Sequence, residues 1–222
     1  MHKLRFRQIH LDFHTSPAIP GVGAKFDKRP WQRTLQEACV DSVTLFAKCH
    51  HGWSYHPTKV GKQHPHLDFD LLRRQYDACK EIDVNAPIYI SAGFDNLAGW
   101  EHPEWRELSH EGHIGPVTRA GWFTMCFHSP YLDYLCEQIE EVVELFPECD
   151  GIFLDIINQR HSCSPWGLEL MKQKGLDPLD EQDRHKANQI ALESYYQRTT
   201  EAAKRGDSER PVFHNARHIR RG

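Results

Sequence analysis

Five short runs of apolar and β-branched residues are separated by segments with helical periodicity, and each run breaks off into histidine, aspartate, asparagine or aromatic residues. The runs are residues 6–14, 40–49, 86–92, 151–157 and 211–215, and the helical segments between them are residues 31–39, 68–82, 130–146 and 180–205. Strand and helix alternating in this way predict a parallel sheet joined by right-handed crossovers. An open doubly wound sheet and a (β/α)₈ barrel both satisfy that order. No GxGxxG or GxxxxGK[ST] follows any run, which removes the main reason to choose a nucleotide-binding open sheet. Polar strand ends are the barrel pattern, because barrel chemistry comes from several strand C-termini on one face. The expected fold class is α/β, the N-terminal five βα units of a (β/α)₈ TIM barrel. A complete barrel takes about 250 residues, so residues 1–222 are expected to be the N-terminal portion of a single catalytic domain truncated at its C-terminus. Residues 217–222 read as a cut rather than a tail.

Within residues 149–158, Gly151 opens a run without polar alternation, as in a strand covered on both faces. Asp155 interrupts it. Burying an isolated carboxylate costs several kcal/mol unless partners or a shifted pKa compensate, roughly; a strand end opening into a cleft avoids the problem. Asp155 is therefore the leading candidate for chemistry, the alternative being an aspartate that caps the next segment. Asn158, at the end of the same stretch, is a candidate contact.

Residues 8–14 alternate with period two, which puts His10, Asp12 and His14 on one face and Ile9, Leu11 and Phe13 on the other. Turned inward, the polar face would line a barrel mouth; an edge strand with a solvated face is the plainer alternative. The second run leads into His50-His51-Gly52-Trp53-Ser54-Tyr55. Imidazoles hydrogen-bond hydroxyls and indoles stack on C–H surfaces, so His50, His51 and Trp53 form a plausible sugar-binding edge, unless the aromatics merely anchor a loop. Asp95 follows the third run and His214 ends the fifth, and both join the candidates. Residues 97–127, with Trp100, Trp105 and Trp122, read as an elaborated loop of the kind that shapes a site.

Composition narrows the partners. A formal charge of −4, from 27 basic and 31 acidic residues, gives no broad basic field for nucleic acid. No run approaches the ~20 apolar residues that span a bilayer, and no apolar stretch follows the basic N-terminus as in an export signal. Seven scattered cysteines with no CxxC pair argue against a disulfide framework and fit a reducing, cytoplasmic setting. The expectation is a carbohydrate substrate, no nucleic acid, no membrane and no cofactor.

Ala47-Lys48-Cys49-His50-His51-Gly52-Trp53 resembles the Ala-Lys-His-His-Asp-Gly-Phe stretch of the α-L-fucosidase family of glycoside hydrolases. Its spacing from Gly151-Ile152-Phe153-Leu154-Asp155 is similar to that family's distance between second-strand histidines and fourth-strand nucleophile. The chain is more similar still to the related hypothetical glycosyl hydrolase group, whose longer members carry a β-galactosidase-type trimerisation domain. It departs from the fucosidase pattern at Cys49, where that family has His, and at His51, where it has Asp. The resemblance implies a barrel glycosidase with Asp155 as nucleophile and His50 touching the sugar. His51 is a candidate by position alone. It also implies a possible homo-oligomer, a trimer, through a C-terminal region not present here. Retaining chemistry needs a second carboxyl group: Asp12 and Asp95 are the visible candidates, whereas the resemblance places the acid on a later strand or loop, leaving this piece inactive alone.

Two alternatives stand. His10, Asp12, His14 and the other strand-end histidines could hold a divalent metal in a barrel hydrolase, although the first-strand pattern there is His-x-His and here an aspartate intervenes. A sugar-binding barrel without hydrolysis is the other.

Overall fold

The computed structural model describes residues 2–114 and 121–216, so the cut end read at residues 217–222 lies outside the described residues. Its strands are β1 (Gln8–His10), β2 (Ser42–Lys48), β3 (Trp53–Ser54), β4 (Lys62–Gln63), β5 (Ile88–Ser91), β6 (Ile152–Ile157) and β7 (Val212–Ala216). Its helices are α1 (Lys28–Glu37), α2 (Leu71–Lys80), α3 (Asn96–Glu101), α4 (Tyr131–Leu145), α5 (Pro165–Lys174) and α6 (Glu181–Ala203). Strands β1, β2, β5, β6 and β7 pair in parallel in chain order. A doubly wound sheet would reverse its order partway; unbroken order is that of a barrel arc. The fold is thus mixed α/β with a mainly parallel sheet, consistent with a partial TIM-barrel-like domain. The short β3 folds back antiparallel on the end of β2, and β4 pairs with β3.

Side-chain alternation sorts the two faces. Val43, Leu45, Ile88, Ile90, Ile152 and Leu154 face the helices and form the main core with Leu35, Leu72, Leu132 and Ile139. On the opposite, inner face the register aligns Phe46, Tyr89, Phe153 and Phe213 across four strands. Their rings form a row: Phe46 stacks on Tyr89 at 3.9 Å, Tyr89 lies 5.7 Å from Phe153, and Phe153 lies 4.7 Å from Phe213. Two residues further along the strands, Ser91, Asp155 and Asn215 form the next inward level. The aromatic row is therefore a floor, and Asp155 stands on it. In β2 a register shift between Phe46 and Lys48 pairs Lys48 with Ile90 and so turns the lysine to the helix side.

The first strand differs from its expected form. Only Gln8–His10 joins the ladder, Leu11 is 48% exposed, and Phe13 packs against Tyr55 at 4.7 Å and Phe46 at 6.4 Å on the inner side. Among the described residues β1 has a partner on one side only, so nothing holds strict alternation beyond His10. Residues 97–127 include α3, a 3₁₀ turn at Pro103–Trp105, and isolated bridges joining Phe94 to Thr124 and Arg106 to Met125. All seven cysteines are free. No helix among the described residues is long and apolar enough to cross a membrane.

Candidate active site

Asp155 sits near the C-terminal end of β6, only 8% exposed. The Tyr89 hydroxyl donates to Oδ2 at 2.7 Å, and the Asn215 amide donates to Oδ1 at 2.7 Å. Both donors are neutral, and among the described residues no lysine or arginine pairs with Asp155. The strand is bent immediately after it. Ile156 has φ +61°, a left-handed conformation that a β-branched residue rarely adopts and that costs about 1–3 kcal/mol. The Ala92 and Gly93 amides both donate to the Asp155 carbonyl, at 3.0 and 3.2 Å, and brace the bend. Gly93 has to be glycine, because a Cβ there would lie 1.9 Å from the Ile156 oxygen.

A wall of rings stands beside the carboxylate. Ser91 Oγ donates to the Phe94 carbonyl at 2.7 Å, so its contact with His50 Nδ1 at 2.6 Å has the ring nitrogen as donor. That fixes the tautomer. The bare Nε2 of His50 faces Asp155 Oδ2 at 3.7 Å. Burial first, and then the neighbouring His14, pull the His50 pKa down to about 4, so the ring is neutral near pH 7. His14 stacks on His50 at 4.0 Å; its Nδ1 accepts from the His50 amide at 3.2 Å and its Nε2 donates to Asp12 at 2.7 Å. Trp122 closes the group, with its ring 4.6 Å from His51, 5.2 Å from His50 and 5.8 Å from His14. Burial lowers the pKa of His14 and of His51. The result is a carboxylate beside three largely uncharged imidazoles and an indole, a surface suited to hydroxyl groups and C–H faces.

The other candidates are distributed as follows. His10 lies exposed on the inner face of the sheet, with its ring 5.2–5.5 Å from Phe46, Tyr89 and Phe153. The Asp12 side chain is 69% exposed and serves His14. Asn158 is half-buried just past β6, and Trp53 meets the ring of His64 at 6.4 Å rather than the histidine wall. Two candidates lie apart from this group. Asp95 is fully buried, bonded to Lys48 Nζ at 2.8 Å, and caps α3 through the Ala98 amide at 2.8 Å. His214 pairs in register with Leu154 on the helix side, where it meets Thr200 Oγ1 at 3.2 Å and Tyr195 at 3.4 Å. Its neighbour Asn215 is the residue that reaches Asp155. Sequence reasoning also missed Tyr89, Ser91 and Trp122 as members of the site. The period-two phase of the third run, which puts Tyr89 and Ser91 on one face, was the signal for the first two; Trp122 had none beyond its place in a long loop.

Among the described residues the donor set of the metal alternative is not brought together. Among the described residues no group of three or more His, Cys, Asp or Glu side chains is placed to hold a metal ion. Both ring nitrogens of His14 are engaged, and His214 is on the other face. A further buried carboxyl group, Glu107, holds the loop after β6: its Oε1 accepts from the Gln159 side chain, from the Arg160 amide at 2.7 Å and from the His161 amide at 3.4 Å. Burial raises its pKa to about 7.

The family model described as hypothetical glycosyl hydrolase 6 matches residues 27–156, more than half of the chain. The chain belongs to that family. The match ends just past Asp155 and contains His50, His51 and Trp122. Among solved structures, α-L-fucosidase isoenzyme 2 from Paenibacillus thiaminolyticus is 42% identical, with a TM-score of 0.93 over 99% of this chain and 34% of that one. The chain therefore spans about a third of the length of that relative. A β-galactosidase from Bacillus circulans, at 14% identity and TM-score 0.63, covers 94% of this chain and 36% of its own. A hypothetical protein from Ruminiclostridium thermocellum, at 12% identity and TM-score 0.57, covers 85% and 89%. At such identities these two show the fold alone. No curated protein matches the chain significantly. In this hypothetical glycosyl hydrolase 6 chain, His50 and His51 of the first stretch stand with Trp122, and Asp155 of the second lies 3.7 Å from His50, on the inner face of the sheet.

Proposed function

We propose that this chain supplies the nucleophile side of a retaining glycosidase with an α-L-fucoside-like substrate. One observation carries the reading: Asp155 is held at a strand end by two neutral donors, beside imidazoles that burial keeps uncharged. An Asp155 oxygen attacks the anomeric carbon as the bond to the leaving oxygen breaks, and that oxygen takes a proton from an acid. Water then attacks the glycosyl ester, giving its proton back to the same group and freeing the carboxylate. Asp155 Oδ2 and the bare His50 Nε2 are two acceptors facing each other at 3.7 Å. A sugar hydroxyl between them satisfies the imidazole by donating to it.

The second carboxyl group is assigned to a later strand or loop of the barrel. Asp95 is neutralised by Lys48 and Asp12 is engaged with His14. The similarity to an α-L-fucosidase over nearly the whole chain favours an α-L-fucoside over other sugars.

The test is hydrolysis of aryl glycosides, α-L-fucoside and β-D-galactoside included, by the chain joined to the remaining barrel strands, with and without chelator. We expect one glycoside to be cleaved, chelator to be without effect, and Asp155→Ala to lose about 10³-fold or more in kcat, partly restored by azide acting as a small nucleophile. A fully active Asp155→Ala, or cleavage of no glycoside, overturns the proposal.

A further inference from the structure

The histidine wall and Trp122 come from segments far apart in the chain, and a single turn of backbone joins them. The Asn96 and Leu97 amides at the start of α3 donate to the His50 and His51 carbonyls at 3.1 and 3.2 Å. The same turn grips the loop that carries the indole: the Phe123 amide donates to Asn96 Oδ1 at 2.8 Å, and the Asp95 amide donates to the Phe123 carbonyl at 3.2 Å. The nitrogen held by Asn96 belongs to the peptide bond between Trp122 and Phe123, so its side chain fixes the plane from which the indole projects. Below it, Phe123 is buried against Gly99, where an added Cβ would come within 3.0 Å of the ring.

We propose that Asn96 is a positioning residue for substrate binding, setting the Trp122 indole against His14, His50 and His51 as the fourth side of the sugar site. Asn96 is half-buried in the short helix α3, and its side chain bonds neither Asp155 nor the two donors that hold it. Its effect therefore falls on affinity. The indole contacts the sugar equally in the ground and transition states, and loosening it weakens both together, which raises KM and leaves kcat nearly in place. This inference rests on the glycosidase reading for its kinetic expression and on geometry alone for the placement of Trp122.

In the barrel-completed enzyme, Asn96→Ala is expected to raise KM about tenfold, the factor for one lost hydrogen bond of ordinary strength, with kcat within about threefold. Asn96→Asp keeps an acceptor for the Phe123 amide and restores KM. Trp122→Ala raises KM by at least as much, and adding Asn96→Ala to it has no further effect, as a double-mutant cycle requires of residues acting through one another. In parallel, fluorine NMR of the 5-fluorotryptophan-labelled chain, with the Trp122 resonance assigned by its loss in Trp122→Phe, should shift or broaden that signal in Asn96→Ala and not in Asn96→Asp. An unchanged KM, a full additional factor on top of Trp122→Ala, or an unmoved Trp122 resonance overturns the inference. If no glycoside is turned over, the glycosidase reading falls, and the Trp122 resonance still decides whether Asn96 holds the indole.

Discussion

Asp95 and Asp155 look alike in the sequence, each near the end of an apolar parallel strand, and the structure buries both, at 0% and 8% exposure. Their surroundings differ in one respect. Asp95 faces the helices, where Lys48 Nζ bonds it at 2.8 Å and also meets Gln138 at 2.9 Å, so its charge is absorbed by the fold. Asp155 faces the inner side of the sheet and is held by a phenol and an amide, with a neutral imidazole beyond. Neutral donors orient a carboxylate without cancelling it. Depth alone does not distinguish the two carboxylates; the charge of what holds them does.

The strongest way to break this comparison is to delete each carboxylate and measure stability in urea. Asp95→Ala strands the Lys48 ammonium in a closed interior and should cost about 3–5 kcal/mol, whereas Asp155→Asn should cost no more than about 1 kcal/mol, since it leaves no cation unpaired. Equal losses would mean that Asp155 too is a structural charge.

The uncharged state of the His50 wall sharpens the contrast through pH. Because burial lowers the folded-state pKa from 6.5 to about 4, the unfolded chain binds the proton first as pH falls. Stability should be intact above pH 6.5 and decline as pH drops toward 4, by on the order of 2 kcal/mol after allowance for partial solvation. The urea midpoint followed across that window should slope, and His50→Gln should make the slope shallower, His14 and His51 keeping the rest. An opposite slope would mean a charged wall.

The smallest effect tests the neutral donors. Tyr89→Phe removes the hydroxyl from Asp155 and leaves the stacked ring between Phe46 and Phe153. It should lower kcat of the barrel-completed enzyme about tenfold, with a stability loss of about 1 kcal/mol. A variant as active as the parent would leave Asn215 as the only orienting donor.

Periodicity made most of the fold legible. Residues 68–82, read as a helix, contain α2 at Leu71–Lys80, and residues 180–205 contain α6 at Glu181–Ala203. The site was legible where chemistry is concentrated in one run, as in His50-His51 or in Asp155 amid apolar residues. It was hidden where the phase of a strand decides. His214 is the more reactive side chain, yet Asn215 shares a face with Phe213 and so with Asp155. In β2 the register shift sends Lys48 outward, to where Asp95 waits, and no pattern of residue types announces a bulge. Tyr89 reads as core in an apolar run, because the hydroxyl partner that gives it a second role lies across the sheet. Trp122 depends on the turn at Asn96, a contact between segments with no shared periodicity.

The brace behind Asp155 bears on which mutations such a protein can accept. Gly93 has no side chain to offer a substrate and lies just past β5, away from Asp155 in the chain, so it would be scored as a spectator in any survey of the mouth. Yet the space its missing side chain leaves is occupied by the Ile156 oxygen. Even an alanine at 93 would push on the bend that aims Asp155. Variation at this position is closed for a reason of shape rather than chemistry, and a library that randomised only the residues lining the mouth would never sample the position on which the aim of Asp155 depends.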